Sequence, residues 1–598
     1  MAKASTGIEA ITGAPARGDE SDALAKEQIK RHSDLMAKYK AVFSDDHQTI
    51  SQYFLPQDSD INVEKTEGIA SWTQQIFDTT AIQAAQVLQS GLFNWWTPPN
   101  QPWTEYEPPE ELKQSDDIGD ATNWLGTASD KFLREIGRSN FYPVKAMGDL
   151  GLGVFGTDTI IFDQSDEGEE IFNFIHCKIG TYTIEENYKG IVDTLRREFK
   201  MTYRQMKQKF SGRGDFIPTK ISDQCRGDTG MAKEFRILHC IFPRDDSKRL
   251  KGAKDGPNKP VASVYIAMDF QCTIRESGYD ETPILCRRFA KWGTGAAWGY
   301  GPAYLAIPDA RQVNYVQQYL DALAELHAYP RILVPNELEG DVDLRAGGTT
   351  PKGSNPEDKP EEWATVGDYK LGMEMQEQRR QAIRDAFYND AFKLLNSQPL
   401  LDKEMTAYEI SQRQAEQMQS IAALNSRQIP EFHNPLGYRG FGIMLRSGKL
   451  GTPPKALQQD LGDGKSAIVR PDVLVTSRFN DALKALKNRG TEATLQFLAP
   501  IAEAHPELGI YDNFVMDDVA VETGRNNGMA ADLFRKKTGE NSVAAIRSAR
   551  MKMQQQQRAA AMAEQVSKAG KNLGSAPPFM QEQAEQALTG GKDKKRAA

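Results

Sequence analysis

Two long helical segments bracket a polar excursion near the middle of this chain, and this pattern restricts the fold more than any other feature. The first predicted helix runs from Pro302 to about Ala328, and the second runs from about Met373 to Leu395. Residues 330–372 between them are rich in Gly, Pro and polar side chains. Long stretches without secondary structure are uncommon inside compact domains, so we expect a small lobe carried on two helices.

Both helices carry apolar residues at three- and four-residue spacing, which places these residues on one face. The apolar stripes comprise Val313, Val316, Leu320 and Leu323 in the first helix, and Ile383, Phe387, Ala391 and Leu394 in the second. The opposite faces hold Arg311, Asn314, Gln318, Asp321 and Glu325, and Gln378, Gln381, Asp385 and Asn389. On periodicity alone, this is an antiparallel helical hairpin inside one domain. Pro308 either kinks the first helix or marks its true first turn.

The remainder of the chain predicts an α+β protein that is mainly helical. Helical spacing covers residues 24–54, 72–93 and 117–137, and again 406–423, 433–450 and most of the chain after 479. Residues 154–289 change to short β-branched and aromatic runs, which are typical of strands. The clearest strands are residues 159–162, 171–175, 235–242 and 261–266. The tryptophans Trp95, Trp96 and Trp103 on a Pro-rich loop indicate either core packing or a subunit contact.

The charge balance argues against a protein that binds nucleic acid tightly. The formal net charge is −9, whereas nucleic-acid-binding proteins present basic surfaces to phosphate. An acidic wall would instead let nucleic acid slide past without sticking. The five cysteines form no C-x-x-C pair and stand at no metal-ligand spacing, so we expect free thiols in a reducing cytoplasm. No signal peptide and no membrane span are expected.

Two nucleotide-binding patterns occur in the wrong context. Gly151-Leu152-Gly153-Val154-Phe155-Gly156 matches G-x-G-x-x-G, but a helix precedes it and a strand follows, which reverses the required order. We therefore expect these glycines to serve a turn or tight packing. Gly464-Lys465-Ser466 resembles the end of a P-loop, but Gln459 stands where its first glycine belongs. We expect no catalytic site, no cofactor and no metal.

Five further motifs occur in a fixed order along the chain. They are the segment from Leu92 to Trp103 with its Thr97-Pro98-Pro99, then Trp298-Gly299-Tyr300-Gly301-Pro302, Ala306-Ile307-Pro308-Asp309-Ala310, Met405-Thr406-Ala407-Tyr408-Glu409-Ile410, and the segment from Gly442 to Pro454 with its paired prolines. Thr406 and Glu409 also form a capping box that opens a helix. In this order the motifs resemble those of the head-to-tail connector, or portal protein, of short-tailed bacteriophages. The chain departs from that family at Trp298, which replaces its tyrosine, and at Tyr300, which replaces its arginine.

The resemblance implies a portal fold with wing, stem, clip and crown, assembled as a ring of twelve subunits. The wing would be residues 22–298 and 405–478, after a disordered lead at 1–21. The stem helices would be residues 299–329 and 371–395, the clip 330–370 and the tunnel loop 396–404. The crown would be residues 479–570, followed by a disordered basic tail at 571–598. The stem would present Val313, Val316, Leu320, Leu323, Ile383 and Phe387 to neighbouring subunits and its polar faces to a water-filled channel.

The resemblance also implies the functional residues and partners. Docking by the clip would use Ile332, Val334, Asp341, Asp343 and Arg345, and the tunnel loop would act through Asn396, Gln398, Leu400, Asp402 and Lys403. The implied partners are the large terminase subunit, tail adaptor and nozzle proteins, major capsid and scaffolding proteins, internal core or ejection proteins, and double-stranded DNA in the channel. The protein would be assembled in the host cytoplasm and reside at the portal vertex of the virion, without inserting into a membrane.

Two other functions remain open at the level of sequence. One is a virion assembly or scaffold protein without a channel. The other is a nucleotide-driven DNA translocase, which would need the P-loop that the chain lacks.

Overall fold

The architecture is taken from a computed structural model of the 598-residue chain. It describes residues 19–62, 76–112, 118–165, 170–210, 215, 217–225, 228–250, 255–293, 296–328, 332–334, 343, 361–362, 369–390, 392, 426–460, 466–476, 478–504, 513–526 and 543–574. These residues form two compact units. The first lies within Met1–Pro109, Leu125–Pro453 and Ile468–Leu486, and the second lies within Glu110–Trp124, Pro454–Ala467 and Lys487–Ala598.

Helices and strands are both abundant, which confirms the predicted α+β class. The helices are α1 Asp19–Val42, α2 Ser44–Phe54, α3 Thr80–Trp96, α4 Ile118–Arg138, α5 Phe141–Phe155, α6 Tyr203–Lys209, α7 Thr219–Gln224, α8 Pro302–Ala328, α9 Tyr369–Ala386, α10 Asn434–Arg446, α11 Arg478–Ala504, α12 Met516–Asn526 and α13 Val543–Gly574.

The strands are short and mostly antiparallel. They are β1 Thr104–Glu107, β2 Thr157–Gln164, β3 Phe172–Cys177, β4 Tyr182–Glu186, β5 Val192–Thr202, β6 Glu234–Pro243, β7 Val261–Ala267, β8 Cys272–Tyr279, β9 Ile284–Arg288, β10 Ala290–Lys291, β11 Gly299–Tyr300, β12 Ile332–Leu333, β13 Glu361–Glu362, β14 Gln458–Asp460, β15 Ser466–Ile468 and β16 Asp472–Val475. The larger sheets have the orders β4-β5-β6-β7-β8 and β3-β2-β9.

The five-stranded sheet is covered on both faces. Successive side chains of a strand point to opposite faces of the sheet, so adjacent residues of β6 pack into two different hydrophobic cores. Ile237 packs with α6 and α7, whereas Leu238 and Cys240 pack with Ala25 of α1. The helix α6 begins at a capping box in which Thr202 accepts from the backbone of Gln205 and the Gln205 side chain accepts in return.

The largest core of the first unit is built by helices α2, α3, α5, α8 and α9 around the three-stranded sheet. Trp95 and Trp96 end α3 at 6% exposure each, and Trp103 is fully buried with its ring 5.7 Å from that of Phe141. This confirms the core-packing interpretation of the three tryptophans. The subunit-contact alternative is wrong because these rings already contact their own chain.

Several predicted elements have different bounds. Residues 24–54 form two helices, separated at Phe43, rather than one. Helix α5 precedes the glycine pattern and strand β2 follows it, which confirms the reversed order. Strands β4, β5, β8 and β9 were absent from the sequence prediction. The strand β15 begins at Ser466, so the helix that a P-loop requires does not follow Lys465.

The second unit contains α12, α13 and most of α11. An ion pair joins Asp517 of α12 to Arg547 of α13 at 2.5 and 2.6 Å. Asp517 therefore has a cation as its partner. Within the described ranges, no helix has the length and apolar character needed to cross a bilayer, and no three potential ligands are grouped around a metal position.

Candidate functional site

Helix α8 begins where two glycine-containing segments meet. Gly299 donates its backbone N–H to Thr157 Oγ1 at 2.8 Å, and Phe289 donates to the carbonyl of Gly156 at 2.9 Å. Gly156 has a φ of +75°, and a Cβ on Gly301 would lie 2.6 Å from the carbonyl oxygen of Gly153. Only glycine permits this backbone approach. The glycines of the segment Gly151–Gly156 and those of the Trp298–Pro302 motif therefore pack against each other.

Aromatic contacts surround this junction at the two positions where the chain departs from the family motif. Trp298 lies 4.9 Å from Tyr39 and 5.4 Å from Tyr182, measured between ring centroids. Tyr300 lies 4.8 Å from Trp292. In place of the family's arginine, Tyr300 therefore contributes an aromatic contact at the start of α8.

Helix α8 starts at Pro302, and Pro308 lies inside it. Proline suits the first helical position because that N–H has no helical partner. The alternative in which Pro308 marks the first turn is therefore wrong. With 27 residues, α8 spans roughly 40 Å at about 1.5 Å per residue.

The apolar stripes of α8 and α9 pack into the core of their own chain. Val313, Leu320, Ile383 and Phe387 are all less than 8% exposed, and the Phe387 ring stacks on Phe54 at 5.3 Å. Val316 and Leu323 are half-buried. The expectation that this stripe faces neighbouring subunits is wrong for the four buried residues, because their surfaces are already covered.

A polar relay fixes the two helices to the start of α3. Arg380 of α9 donates to Asp78 Oδ2 at 2.6 and 2.9 Å and to Gln317 Oε1 of α8 at 3.3 Å. Gln376 donates to the same Gln317 oxygen at 2.6 Å. Asn314 accepts from the backbone of Asp78 at 3.2 Å. Burial favours a raised pKa of Asp78, but the hydrogen bonds from Thr80 and Arg380 outweigh it and lower that pKa.

Replacing Arg380 by methionine is expected to lower the free energy of unfolding by about 1.5 kcal/mol, because Asp78 loses its charged partner while its side chain is 5% exposed. The urea midpoint measures this loss. The neighbouring Arg379→Met variant is the matched control, because Arg379 is 50% exposed and its pair with Asp309 contributes less than about 1 kcal/mol. Equal losses of unfolding free energy in the two variants would show that the Arg380–Asp78 pair contributes no more to stability than an exposed pair.

The outer surface of α8 is less polar than the sequence pattern indicated. Leu305 is 67% exposed, and Tyr315 and Tyr319 are each 57% exposed. The two tyrosine rings lie 4.6 Å apart with their hydroxyl groups at 2.7 Å. Among the polar residues, Arg311, Gln318, Asp321 and Glu325 are exposed, whereas Asn314 is half-buried.

The end of α9 differs from the predicted helix, which was expected to continue to Leu395. Helix α9 ends at Ala386, and a turn follows in which Tyr388 has a φ of +55°, a conformation that non-glycine residues rarely adopt. Helical conformation resumes at Asn389 and Asp390. Aromatic residues on both sides of this break pack into the core: Phe387 contacts Phe54, and Phe392 contacts Trp95. Asn389, expected on the polar face, is 2% exposed.

The structure describes only part of the predicted clip and none of the predicted tunnel loop. In the clip, β12 pairs antiparallel with β13 through Ile332 opposite Glu362. Ile332 is half-buried, Val334 is 37% exposed, and Asp343 is exposed and belongs to no strand. The remaining predicted site residues lie outside the described residues: Asp341 and Arg345 of the clip, and Asn396, Gln398, Leu400, Asp402 and Lys403 of the loop. The capping box at Thr406 and Glu409 and the stripe residues Ala391 and Leu394 also lie outside them.

Four fully buried charged side chains lie between α5, β2 and β9. Lys145 donates to both carboxylate oxygens of Asp149 at 2.6 Å, and Arg287 donates to Asp149 Oδ1 at 2.5 Å. Arg287 Nε also donates to Asp158 Oδ2 at 3.0 Å. None of the four is more than 1% exposed. Two cations thus balance two carboxylates, as the burial of charge requires.

Two opposing effects set the pKa values in this cluster: burial favours the neutral form of each group, and the charged partners favour the ionised form. Burial lowers the pKa of Lys145 to about 8, although Asp149 favours its charged form. Burial alone would raise the pKa of Asp158, but Arg287 and His176 outweigh it and hold that pKa at about 2. Burial would lower the pKa of Arg287, but the two carboxylates outweigh it and raise that pKa, so the Arg287–Asp158 pair is ionised at neutral pH.

This cluster supports the segment Ile429–His433, which packs against it. The segment is π-helical, a rare conformation that often marks functional sites. The Phe432 ring centroid lies 4.8 Å from the guanidinium of Arg287. Glu431 accepts from the backbone N–H of Arg288 at 2.8 Å and from its guanidinium at 2.6 Å.

The sequence interpretation missed these ion pairs. The available signal was Arg287-Arg288 at the end of the apolar strand β9 and Asp158 inside β2, because a charge on a covered strand needs a partner. Lys145 and Asp149 stand four positions apart on α5, but Arg287 lies 138 positions from Asp149 and 129 from Asp158. No local pattern identifies such partners.

Two phage proteins match most of the chain in sequence. The portal protein of Salmonella phage epsilon15 is 26% identical over 505 residues, which cover 83% of this chain and 86% of that protein. The probable portal protein of Bordetella phage BPP-1 is 26% identical over 533 residues, which cover 88% of this chain and 91% of that protein.

Two solved structures also match at low similarity. A chain from the virion of a native gene transfer agent particle aligns with a TM-score of 0.34 and 10% identity, over 76% of this chain and 95% of that one. A chain from the neck of an empty gene transfer agent particle aligns with a TM-score of 0.35 and 10% identity, over 73% of this chain and 91% of that one.

The sequence profile of one protein family spans most of the chain. The bacteriophage head to tail connecting proteins match residues 25–534, and the two phage relatives are portal proteins, which are structural and not enzymes. The chain therefore belongs to the bacteriophage head to tail connecting protein family.

Proposed function

We propose that this protein is the portal of a phage capsid: a ring of identical subunits at one vertex, around a channel for genome packaging and ejection. The observation that carries the proposal is the α8–α9 pair. One face of α8 is buried in the subunit core, and its other face remains exposed along a helix of roughly 40 Å. A wall segment needs this combination of internal anchoring and a free surface.

The channel proposal agrees with the charge of the chain. The net charge of −9 opposes tight binding of phosphate, so double-stranded DNA would move past the wall without being held. The ring itself would form through head-to-tail contacts that close, with two different surfaces of each subunit in contact.

The finer assignments belong to the same proposal. The clip, residues 330–370, would bind the large terminase subunit during packaging and tail adaptor or nozzle proteins afterwards. The wing would contact major capsid and scaffolding proteins, and internal core or ejection proteins would bind on the capsid side. The tunnel loop, residues 396–404, would project into the channel. Assembly would take place in the host cytoplasm.

Electron micrographs of the purified full-length chain test the proposal most directly. We expect class averages viewed down the axis to show a ring with an open centre. Native mass spectrometry is expected to give about 0.8 MDa, from twelve chains of 66.7 kDa. A monomer or dimer at micromolar concentration would overturn the proposal. A particle without a central opening would favour a scaffold protein, and ATP hydrolysis by the purified chain alone would favour a translocase.

The loop assignment has its own test, a deletion of residues 396–404. We expect this variant to assemble rings as the wild type does and to package or retain less DNA, because the segment would touch DNA and not the neighbouring subunit. Ring yield by native mass spectrometry and packaged DNA per particle are the two measurements. Loss of ring assembly would place the loop at a subunit contact instead.

A further inference from the structure

Tyr188 is the most exposed of the large apolar and aromatic side chains in the described residues, at 91%. It stands at the tip of the hairpin between β4 and β5. The tip is held in one shape: Asn187 Oδ1 accepts from the backbone N–H groups of Lys189 at 2.9 Å and Ile191 at 3.1 Å. Gly190 supplies the turn with a φ of +76°. A preorganised tip loses little conformational entropy when its aromatic ring binds a partner.

The hairpin tip is tied to the core and flanked by further exposed apolar groups. Arg288 donates from its guanidinium to the carbonyl of Gly190 at 3.0 Å, and Lys291 donates to Glu186 at 2.7 Å. Ile191 is 44% exposed, and Trp292, next to Lys291 in sequence, is 48% exposed. An apolar group of this kind on a rigid support is typical of a protein contact site.

A cavity of about 140 Å³ opens near the other end of β4. Its apolar lining includes Leu55, Met147, Leu150, Phe155, Cys177 and Ile179. An apolar cavity of about 150 Å³ accommodates a benzene ring, so this one has the volume for the ring of a tyrosine. Gln57 also lines the cavity and offers a hydrogen-bond partner for a phenol hydroxyl.

The ring of Tyr188 cannot enter the cavity of its own chain. Strand β4, with five residues, separates the tip from Ile179 by roughly 16 Å at about 3.3 Å per residue. Because β4 is paired with β5 through Tyr182 to Glu186, it cannot fold back. A Tyr188 ring that fills this cavity must therefore come from another copy of the chain.

The charges beside the tip and the cavity are complementary. Lys189 is exposed, with its ammonium 5.4 Å from the Tyr188 ring centroid. At the cavity, Asp58 and Asp60 are 41% and 36% exposed and share the single cation of Lys178. Among the residues that the structure describes, two carboxylates of the rim thus share one cation, and the excess negative charge attracts the lysine that accompanies the aromatic ring.

We propose that Tyr188 of one subunit inserts into the cavity beside Met147 of the next subunit, so that identical chains join head to tail. The contact uses two different surfaces of each chain, which is the geometry of a closing ring. The inference rests on the proposed portal ring and identifies one of its contacts.

Disulfide trapping in the full-length chain tests the contact. The double variant Tyr188→Cys/Met147→Cys is oxidised mildly and run on a non-reducing gel. We expect a ladder that continues beyond the dimer, because every chain offers one thiol of each kind. Burial raises the pKa of Cys177, Cys240 and Cys286 to about 12, so these native thiols stay protonated and unreactive. Cross-linking that stops at dimers would overturn the proposal.

The control variant for trapping is Tyr188→Cys/Leu250→Cys, since Leu250 is 72% exposed and outside the cavity. We expect it to run as single chains after the same oxidation. A ladder of equal yield from this control would mean that the trapped contact is not specific, and it would also overturn the proposal.

A cavity-filling variant provides an independent test. Gly151 lines the cavity, and a Cβ added to it meets no heavy atom within 4 Å outside its own helix turn. Gly151→Leu is therefore expected to fold and to fill the space that the tyrosine ring would occupy. A second variant, Tyr188→Ser, removes the ring itself. Each variant should raise the concentration for half-maximal ring assembly about tenfold. Gly137→Leu is the control, because a Cβ added to this glycine of α4 also meets no heavy atom within 4 Å, and it should leave the concentration for half-maximal ring assembly unchanged.

The outcomes separate this contact from the portal proposal. If the wild-type chain forms no ring, the portal proposal fails. If rings form, and Gly151→Leu and Tyr188→Ser assemble at the wild-type concentration, the ring stands and the Tyr188 contact is wrong.

Discussion

Replacing Arg287 by methionine is expected to lower the free energy of unfolding by about 3–5 kcal/mol. Arg287 is 1% exposed and is the only one of the four buried charges that contacts both carboxylates, Asp149 and Asp158. Methionine fills most of the volume but supplies no charge and no donor. Asp149 would keep Lys145, whereas Asp158 would keep only His176. One carboxylate would thus remain buried without a full counter-charge.

Urea unfolding at pH 7 measures this loss. Arg236→Met is the matched control, because its pair with Asp269 is 51% and 40% exposed and contributes less than about 1 kcal/mol. The double variant Arg287→Met/Asp158→Asn should recover part of the loss, since it removes the stranded charge. A loss for Arg287→Met no larger than for Arg236→Met, or no recovery in the double variant, would show that the cluster is not a balanced ionic core.

Replacing His433 by phenylalanine is expected to make the protein more resistant to acid. The His433 ring lies between Trp96 at 5.4 Å and Trp103 at 5.8 Å, and within the described residues neither ring nitrogen has a hydrogen-bond partner. Burial lowers its pKa to about 3, with Lys145 and Arg287 adding to the effect. The folded state therefore resists protonation of this ring.

The sign of the pH dependence follows from the two pKa values. The unfolded chain takes up a proton near pH 6.5, whereas the folded chain does so only near pH 3. Between these values the unfolded state binds more protons, so stability falls as pH falls. For this single ring the loss between pH 7 and pH 4 is about 3 kcal/mol. His47, whose pKa burial also lowers to about 3, contributes with the same sign and remains in the variant.

Chemical unfolding at pH 7, 5.5 and 4 tests this expectation. The stability of His433→Phe should decline less steeply than that of the wild type, with the gap opening below pH 6.5. His327→Gln is the control, because the His327 side chain is exposed at the end of α8, and it should follow the wild-type curve. Parallel curves for His433→Phe and the wild type would contradict the assignment of His433 as a buried neutral ring.

Local sequence patterns predicted those parts of the fold that depend on local geometry. The start and end of α8 were predicted because Pro302 and the apolar spacing are properties of one helix. Strands β2, β3, β6 and β7 were recognised by their β-branched and aromatic runs. The reversed order of helix and strand around Gly151–Gly156 was predicted correctly, because that order is itself local.

The end of α9 was not predictable in the same way. Its apolar spacing continues through Ala391 and Leu394, so periodicity extends the helix to Leu395. The structure interrupts it at Tyr388, where the Phe387 and Phe392 rings contact Phe54 and Trp95. Those partners lie some three hundred residues earlier in the chain, and packing against them outweighs helix propensity.

The sequence by itself determined the paired helices, the excursion between them and the motifs that identify the family, because each depends on residues close together in the chain. Only the tertiary structure decided which surfaces are free. Val313 and Leu320 lie against their own core, while Tyr315, Tyr319 and Tyr188 remain exposed. Periodicity gives the direction of a side chain around its own helix or strand, whereas burial and charge pairing depend on what distant segments place against it.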